Sequence, residues 1–265
     1  MDLMVTIKET AELEDDFEFD GNQLDDRFVE YQLNEWDEYA LEEAVQLKEN
    51  NDEIDEVVSV TVGPPRCEET IRMALAKGAD RAVRVWDDAL GGRELPDPRV
   101  TAQLLAPVAR EISPEIIMSG VMANDDLISA TGLTLAQLLD YEWGAVVNQF
   151  ELDIGENIAQ IHRELEGGLD ELATVQLPAV FTIQTGINEP RYASLRGIRQ
   201  ARDKELTVKS LDDLELSKDL LDTPLQVQEL REPKTDKDTQ YFEGSLDEQC
   251  QQLAGTLDEL GVVNR

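Results

Sequence analysis

Residues 57–86 have the sequence VVSVTVGPPRCEETIRMALAKGADRAVRVW. The β-branched run Val57–Val62 is typical of a buried strand, and a glycine follows it. The pair Pro64-Pro65 then opens a helix, because proline is tolerated in a first helical turn, and Gly78 closes that helix. The segment Arg81–Trp86 is typical of another strand. The stretch therefore predicts a strand, a helix and a second strand in succession.

The same alternation continues on both sides of this unit. Before it, Leu3–Ile7 is a short apolar strand, and Asn34 can cap a helix that extends to about Glu49. Four successive strand and helix pairs predict a parallel, doubly wound sheet with right-handed crossovers. The later members of the series are a helix over Arg99–Ile112, a strand over Glu115–Ser119 and a helix over Asp126–Leu139.

The pattern changes after residue 144. Three apolar runs, Ala145–Leu152, Ile158–Leu165 and Val180–Gln184, follow one another without helices between them, and we expect them to extend the sheet in antiparallel fashion. Residues 206–233 are polar and acidic, and Leu246–Leu260 is an amphipathic helix. The predicted fold class is α/β: a doubly wound, mostly parallel sheet with an antiparallel extension and an extended C-terminal arm that ends in a helix.

This organisation predicts an α/β domain at residues 1–205 and an acidic arm at residues 206–265. The helix of the arm carries one apolar stripe, which must be buried against a partner chain or against its own domain. We favour a partner chain, because a poorly patterned segment precedes the helix. The stripe consists of Leu246, Cys250, Leu253, Leu257 and Leu260.

The charge of the chain excludes several classes of partner. It has 58 Asp and Glu against 23 Lys and Arg, a net charge of -35. Nucleic acids and anionic membranes should be repelled, because affinity for both depends on Lys and Arg. No apolar run approaches the length of a membrane span, so we expect no direct membrane insertion and a cytoplasmic location. The acids are spread through patterned segments, which favours an acidic folded surface adapted to high salt over a disordered tail.

Motifs for catalysis and for metals are missing. The chain has no GxGxxG after its first strand, no GxxxxGKS phosphate loop and no GxSxG elbow. Its one histidine, His162, falls on a predicted strand, and its two cysteines, Cys67 and Cys250, lie far apart without a CxxC pair. We therefore expect no catalytic residue, no metal site and no disulfide.

The loop that begins at Gly120 is a candidate anion site. It follows a predicted strand, and ligands of open parallel sheets bind beyond the carboxyl ends of the strands. A helix that starts just after residue 124 would direct free backbone N–H groups at an anion such as a phosphate. The alternative is that Asp125 or Asp126 only caps this helix.

Several longer stretches resemble the electron transfer flavoprotein beta subunit. Residues 62–81 are similar to the family pattern CG-x-x-x-C-x-ET-x-R-x-A-x-A-x-GADR, and residues 34–48 to NPFDE-x-A-x-EEA-x-x-LKE. Arg163–Gly168 is similar to RE-x-DGG, and residues 177–180 and 188–192 match LPAV and NEPRY. Together these stretches cover nearly the whole chain to about residue 204, which is far more specific than a single short motif.

The resemblance implies a subunit that binds a nucleotide. Family members pair with a larger alpha subunit that holds the redox-active FAD, while the beta subunit buries a structural AMP. For Cys67 the alternative is a small buried residue on a helix face. The residues that correspond to the family's nucleotide site are Thr6, Asn34, Cys67, Asp126, Ser129, Ala130 and Thr131.

Two departures from the family bear on the cofactors. Members that bind AMP usually have DD-x-x-NQTG where this chain has Ser129 and Ala130 before Thr131-Gly132, so side-chain amides are missing. A related class that bifurcates electrons holds a second FAD in place of AMP, and we favour AMP. Leu13 stands where many members have a tyrosine near the flavin, and an aliphatic side chain cannot stack in the same way.

The resemblance also implies the function and the partners. The complex would relay electrons from flavin dehydrogenases, above all acyl-CoA dehydrogenases of fatty acid oxidation, to a quinone reductase. Leu195 would anchor the dehydrogenase, and Arg163 and Glu164 would lie at the interface with the alpha subunit. As an electron carrier subunit, the chain would not be an enzyme by itself. The alternative from another class is a stand-alone adenine-nucleotide sensor with a similar fold.

The acidic surface predicts that the fold needs salt. We expect a lower melting temperature in dilute buffer than in molar KCl, because surface charges repel one another over about 30 Å at 0.01 M salt but over about 3 Å at 1 M. Thermal unfolding followed by circular dichroism across this range measures the effect. An unchanged melting temperature would contradict the interpretation.

Overall fold

The structure, a computed structural model, describes residues 1–13, 19–20, 23–24, 26–91, 97–223, 225, 239 and 241–262. The chain divides into two compact units, Met1–Gln228 and Glu229–Arg265. In the first unit the strands are β1 (Asp2–Thr6), β2 (Glu9–Leu13), β3 (Phe19–Asp20), β4 (Gln23–Leu24), β5 (Val29–Leu33), β6 (Glu56–Val62), β7 (Arg81–Val85), β8 (Ile116–Gly120), β9 (Glu142–Val147), β10 (Gln149–Asp153), β11 (Ile158–Leu165), β12 (Leu169–Gln176), β13 (Ala179–Ile183) and β14 (Leu206–Lys209). The α-helices are α1 (Glu35–Asn50), α2 (Glu68–Lys77), α3 (Pro98–Ile112), α4 (Thr131–Leu139) and α5 (Leu195–Ala201), with α6 (Leu246–Glu259) in the second unit.

The main sheet has seven strands in the order β14-β7-β6-β1-β8-β13-β9. All of its pairs are parallel. From β1 the chain moves outward to β6 and β7, and it then returns to the other side of β1 to form β8. This reversal confirms the predicted doubly wound α/β class, and it leaves a crevice between the carboxyl ends of β1 and β8.

Helices cover both faces of the sheet, as a parallel sheet requires. Side chains of α1 and α2, such as Leu41 and Ile71, pack with Leu3 and Val5 on one face. Side chains of α3 and α4 pack with alternate strand residues on the other face. The central strands are therefore apolar on both sides, which explains why β6 is an almost continuous run of β-branched residues.

A second sheet, β10-β11-β12, is antiparallel and packs beside the first. The rings of Phe150 and Phe181 meet edge to face with centroids 4.9 Å apart. Gly144 lets the two layers approach, because an added Cβ would lie 2.7 Å from Ile161 Cδ1 and 2.8 Å from Phe181 Cδ1. The antiparallel pairing of β10 with β11 agrees with the prediction. Two strands differ from it: the predicted run Ala145–Leu152 is divided between β9 and β10, and both β9 and β13 lie in the main sheet, parallel to each other.

The start of α4 and the extent of the main sheet differ from the sequence prediction. Helix α4 starts at Thr131 and not near Asp126, because Leu127 and Ser129 have φ of 54° and 56°, which no right-handed helix allows. Strand β14 pairs with β7, so residues 206–209 belong to the sheet.

The C-terminal unit contains helix α6, which matches the predicted amphipathic helix. Ser245 begins it with a capping box, in which Glu248 accepts from the Ser245 backbone N–H at 2.7 Å. Its stripe residues Leu246, Leu253 and Leu260 are exposed. Across the described ranges, no helix is both long and apolar enough to cross a bilayer.

Candidate functional site

A cavity of about 800 Å³, counted with its open mouth, lies beyond the carboxyl ends of β1 and β8. This is the crevice where the strand order reverses, the place at which doubly wound sheets bind ligands. The cavity is therefore the candidate site.

Most of the predicted cofactor residues meet in this cavity. The structure brings together seven of the eight residues, which come from four separate segments of the chain. Topology alone unites them, because the segments lie more than a hundred residues apart at the extremes. The seven lining residues are Thr6, Asn34, Gly120, Asp126, Ser129, Ala130 and Thr131.

Cys67 is the one predicted cofactor residue that does not line the cavity. It is buried against α2, and its Sγ lies 3.3 Å from Glu9 Oε1. Burial, with the nearby Glu9 carboxylate, raises the pKa of the Cys67 thiol to about 12, so the thiol stays protonated. Val62, the last residue of β6, lines the cavity instead. In this segment, the residue that lines the cavity is therefore Val62 at the end of β6 and not Cys67 before α2.

The first turn of α1 holds the two strand ends together. Asp37 is buried, and its carboxylate accepts the backbone N–H groups of Lys8 and Gly120, each at 2.8 Å. Asn34 does not cap the helix with its side chain. Its amide donates to Met122 O at 2.9 Å and accepts from Asn124 N at 3.2 Å, so it fixes the loop after β8.

The N-terminus of α4 faces the cavity without a side-chain cap. Its first intrahelical bond runs from Thr134 N to Ala130 O, so the amides of residues 131–133 have no partner within the helix. Ser119 also lines the cavity, and its buried Oγ has no hydrogen-bond partner among the described residues. Gly132 keeps this corner open, since an added Cβ would lie 2.5 Å from Ser119 Oγ. These groups can bind an anion.

The loop before α4 is held by a lysine. Asp126 Oδ1 accepts from Ile128 N at 2.9 Å, which forms a turn in place of a helix cap. The ammonium of Lys8 lies 2.8 Å from Asp126 Oδ2 and 2.5 Å from Asp125 Oδ1. Neither aspartate caps α4, so the capping alternative for this pair does not apply.

The lining residues that the sequence prediction missed include Val62, Ser119, Lys8 and Asp37. Val62 and Ser119 are at or next to the ends of β6 and β8, so the rule that ligands bind at strand ends could have found them. Lys8 lies two residues beyond β1 and could have been found in the same way. Asp37 could not, because an acid in the first turn of a helix is an ordinary feature. Burial raises the pKa of the Asp37 carboxyl to about 6, although the Lys8 and Gly120 amides oppose the shift.

The predicted partner residues lie on other surfaces. Arg163 on β11 forms an ion pair with Glu171 on β12 at 2.7 Å. Glu164 is exposed on the same strand. Leu195 begins α5 and is 77% exposed, close in the chain to Tyr192, which is 96% exposed. The structure does not bring these residues to the cavity.

The segment that carries Tyr192 and Leu195 is fixed on one side by Arg191. Its guanidinium binds Glu42 at 2.8 Å and Glu49 at 2.7 Å, both on α1. On the other side, Ser194 caps α5 by accepting from Gly197 N at 3.0 Å. Two exposed apolar side chains are thus presented from a well-anchored segment.

The histidine of the chain, His162, lies on β11 and contacts two polar side chains. Its Nδ1 is 2.6 Å from Asn148 Oδ1, and its Nε2 is 3.3 Å from Asp170 Oδ1. In the described part of the chain, no three His, Cys, Asp or Glu side chains are grouped as a metal site would require.

Comparison with known proteins supplies the family context. The family model described as "Electron transfer flavoprotein domain" matches residues 22–214. The chain is 42% identical over 264 residues to the electron transfer flavoprotein subunit beta of Methylophilus methylotrophus, covering 98% of each chain. It is 33% identical to the Bacillus subtilis (strain 168) subunit beta over 97% of each chain. With the Homo sapiens subunit beta, identity is 36% over 89% of this chain and 87% of that one.

The buried carboxyl of Asp37 predicts a pH effect on stability. Its folded-state pKa of about 6 is above the ordinary 3.8, so the folded chain binds this proton more tightly than the unfolded chain. The free energy of unfolding should therefore fall as the pH rises from about 4 to 7, by up to about 3 kcal/mol from this group. Asp37→Asn should remove that part of the slope.

Urea unfolding at fixed molar KCl, repeated across this pH range, measures the difference between the two chains. The asparagine loses one backbone hydrogen bond, which shifts its curve by a constant, so only the slope tests the prediction. Parallel curves for Asp37→Asn and the unaltered chain would contradict it.

Proposed function

The chain belongs to the family of electron transfer flavoprotein beta subunits, and we propose that it binds AMP in the cavity and relays electrons as part of a flavoprotein heterodimer. Membership of the family implies an alpha-subunit partner and a flavin. In the proposal the FAD belongs mainly to the alpha subunit, and the AMP of this chain is structural. Electron transfer is then a property of the complex, and the chain alone is not an enzyme.

One observation carries the nucleotide proposal: an uncapped helix N-terminus and a buried, unpartnered hydroxyl share one cavity wall. The amides at the start of α4 and the Oγ of Ser119 supply hydrogen-bond donors for a phosphate. Without a ligand or water, Ser119 Oγ would stay buried and unsatisfied, which costs free energy. The residues present therefore fit a phosphorylated ligand.

The rest of the cavity suits a nucleoside. Val60, Val62 and Leu105 provide apolar wall for a base, and Thr6, Asn34 and Gly120 provide polar atoms near the strand ends. Ser129, Ala130 and Thr131 would border the phosphate, because they lead into α4. We propose AMP in this cavity rather than a second FAD.

Other surfaces would meet the alpha subunit. Arg163 and Glu164 lie on the second sheet, where Leu169 and Leu172 are also exposed. Leu169 pairs with Leu165, which is also exposed, so two apolar side chains lie side by side at this end of the sheet, as at an interface. Leu13, at the end of β2, would form part of the flavin wall without stacking on it. Helix α6, with its exposed apolar stripe, would pack on the alpha subunit as the terminal part of the arm.

Leu195 would dock the electron donor. An exposed leucine that enters an apolar pocket contributes about 1.5 to 3 kcal/mol, which suits a transient complex. We propose flavin dehydrogenases, in particular acyl-CoA dehydrogenases of fatty acid oxidation, as donors and a quinone reductase as acceptor. The acidic surface supports a salt-rich cytoplasm as the location.

The nucleotide content of the complex tests the proposal. The chain is co-expressed with an alpha subunit, purified in molar KCl and extracted with acid, and the released nucleotides are counted by mass spectrometry. We expect FAD and AMP in equal amounts. Gly132→Val should abolish AMP and keep FAD, because an added Cβ would lie 2.5 Å from Ser119 Oγ and 2.9 Å from Thr182 Cγ2.

Gly155→Val is the matched control, since an added Cβ there meets nothing closer than Asp153 Oδ1 at 3.4 Å. It should retain both nucleotides. Two FAD per complex would support the bifurcating class instead of AMP. A colourless monomer that carries only ATP would support the stand-alone sensor and overturn the carrier.

A substitution of Leu195 tests the docking role. Leu195→Ala should raise the KM of an acyl-CoA dehydrogenase for the flavoprotein by roughly tenfold to a hundredfold, because the anchor's apolar contact is lost. Flavin absorbance during dehydrogenase turnover gives the rate. Val208→Ala, which trims another exposed aliphatic side chain, should have no effect. Equal KM values for Leu195→Ala and the unaltered complex would refute the role.

A further inference from the structure

Lys8 occupies a central place in the cavity wall. Its backbone N–H donates to Asp37 at 2.8 Å, and its ammonium lies between Asp125 and Asp126 at 2.5 and 2.8 Å. The side chains of this trio are partly buried, with 27%, 20% and 13% of their surface exposed. One lysine therefore joins the end of β1, the first turn of α1 and the loop before α4.

The charges around the cavity make this lysine unusual. Of the lining residues that the structure describes, Lys8 is the one cation, while Asp37 and Asp126 are acids. The chain as a whole carries a net charge of -35, so its long-range field does not attract an anion. Among the described residues, the groups that can stabilise an anionic ligand at this site by their charge are Lys8 and the N-terminus of α4.

The helix end is too weak to do this without the lysine. An uncapped N-terminus is equivalent to about half a positive charge. Asp125 and Asp126 directly precede the loop that enters α4, and each would carry a full negative charge if it were unpaired. Without Lys8, the two carboxylates would outweigh the helix end and repel a phosphate.

We propose that Lys8 is a specificity-determining residue, which offsets one of the two negative charges of the Asp125-Asp126 pair so that the cavity accepts a phosphorylated nucleoside in preference to the bare nucleoside. This inference rests on the proposed nucleotide function. Lys8 acts here as a positioning residue: it holds residues 125 and 126 against the end of β1, and the chain continues from there into the amides of α4. Removing its charge should weaken the binding of AMP much more than the binding of adenosine.

The ratio of these two affinities is the measurement. The heterodimer with its alpha subunit is stripped of nucleotide, and AMP and adenosine are titrated calorimetrically in 1 M KCl. Long-range surface charge is screened over about 3 Å at this salt, whereas a partly buried pair is not. Lys8→Met should lower the affinity for AMP by about tenfold to a hundredfold and change that for adenosine less than about threefold.

Three further variants separate charge from structure. Lys8→Arg should recover most of the AMP affinity, and Lys8→Met combined with Asp125→Asn should recover part of it, because one excess negative charge is removed. Lys48→Met removes an equal charge from a remote pair with Asp80 and should leave the ratio unchanged. Circular dichroism confirms that each variant is folded.

The outcomes are distinct. A selective loss for AMP in Lys8→Met, with recovery in the arginine variant, supports the inference. Unchanged AMP affinity, or an equal loss for both ligands, overturns it. If the unaltered heterodimer binds neither ligand, the proposed nucleotide function itself fails. If it binds AMP and Lys48→Met weakens AMP as much as Lys8→Met does, only the role of Lys8 fails.

Discussion

The site depends on the hydrogen bonds that the carboxylate of Asp37 accepts from two backbone N–H groups. Two neighbouring parallel strands, β1 and β8, end side by side, and the chain leaves each of them in a different direction. Without Asp37, the backbone N–H groups of Lys8, two residues after β1, and of Gly120, the last residue of β8, would be unpaired in the interior. Asp37 accepts both at 2.8 Å, although burial raises its pKa to about 6. The fold thus accepts an unfavourable buried charge in order to fix the crevice.

The other features of the cavity follow from this fixed crevice. Asn34, three residues before Asp37 on the same helix, binds the loop after β8 and gives up its role as a cap. The loop then turns at Asp126, where left-handed residues delay the start of α4 until Thr131. Because of that delay, the uncapped amides of α4 face the crevice beside Ser119.

Because the surface is acidic, recognition of ligands and partners depends on local ion pairs and on apolar contacts. A chain with net charge -35 has little long-range attraction for an anionic ligand, so local pairs such as Lys8 with Asp125 and Asp126 must decide the charge of the cavity. The same argument applies to protein partners. Tyr192 and Leu195 are exposed on a segment that Arg191 fastens to α1, and such apolar contacts keep their strength in high salt.

The sequence by itself determined the layered fold and most of the candidate site. The run Val57–Val62 with the helix that ends at Gly78 predicts a buried parallel strand and its crossover, because apolar period and helix termini are local properties. Only the tertiary structure decided that Val62 and not Cys67 borders the cavity, that α4 starts at Thr131, and that β13 lies in the parallel sheet. The tertiary structure alone also brought Lys8 next to Asp125, which is 117 residues away in the chain, and next to Asp126. Such pairings depend on which strand ends become neighbours, and a one-dimensional pattern carries no information about that distance.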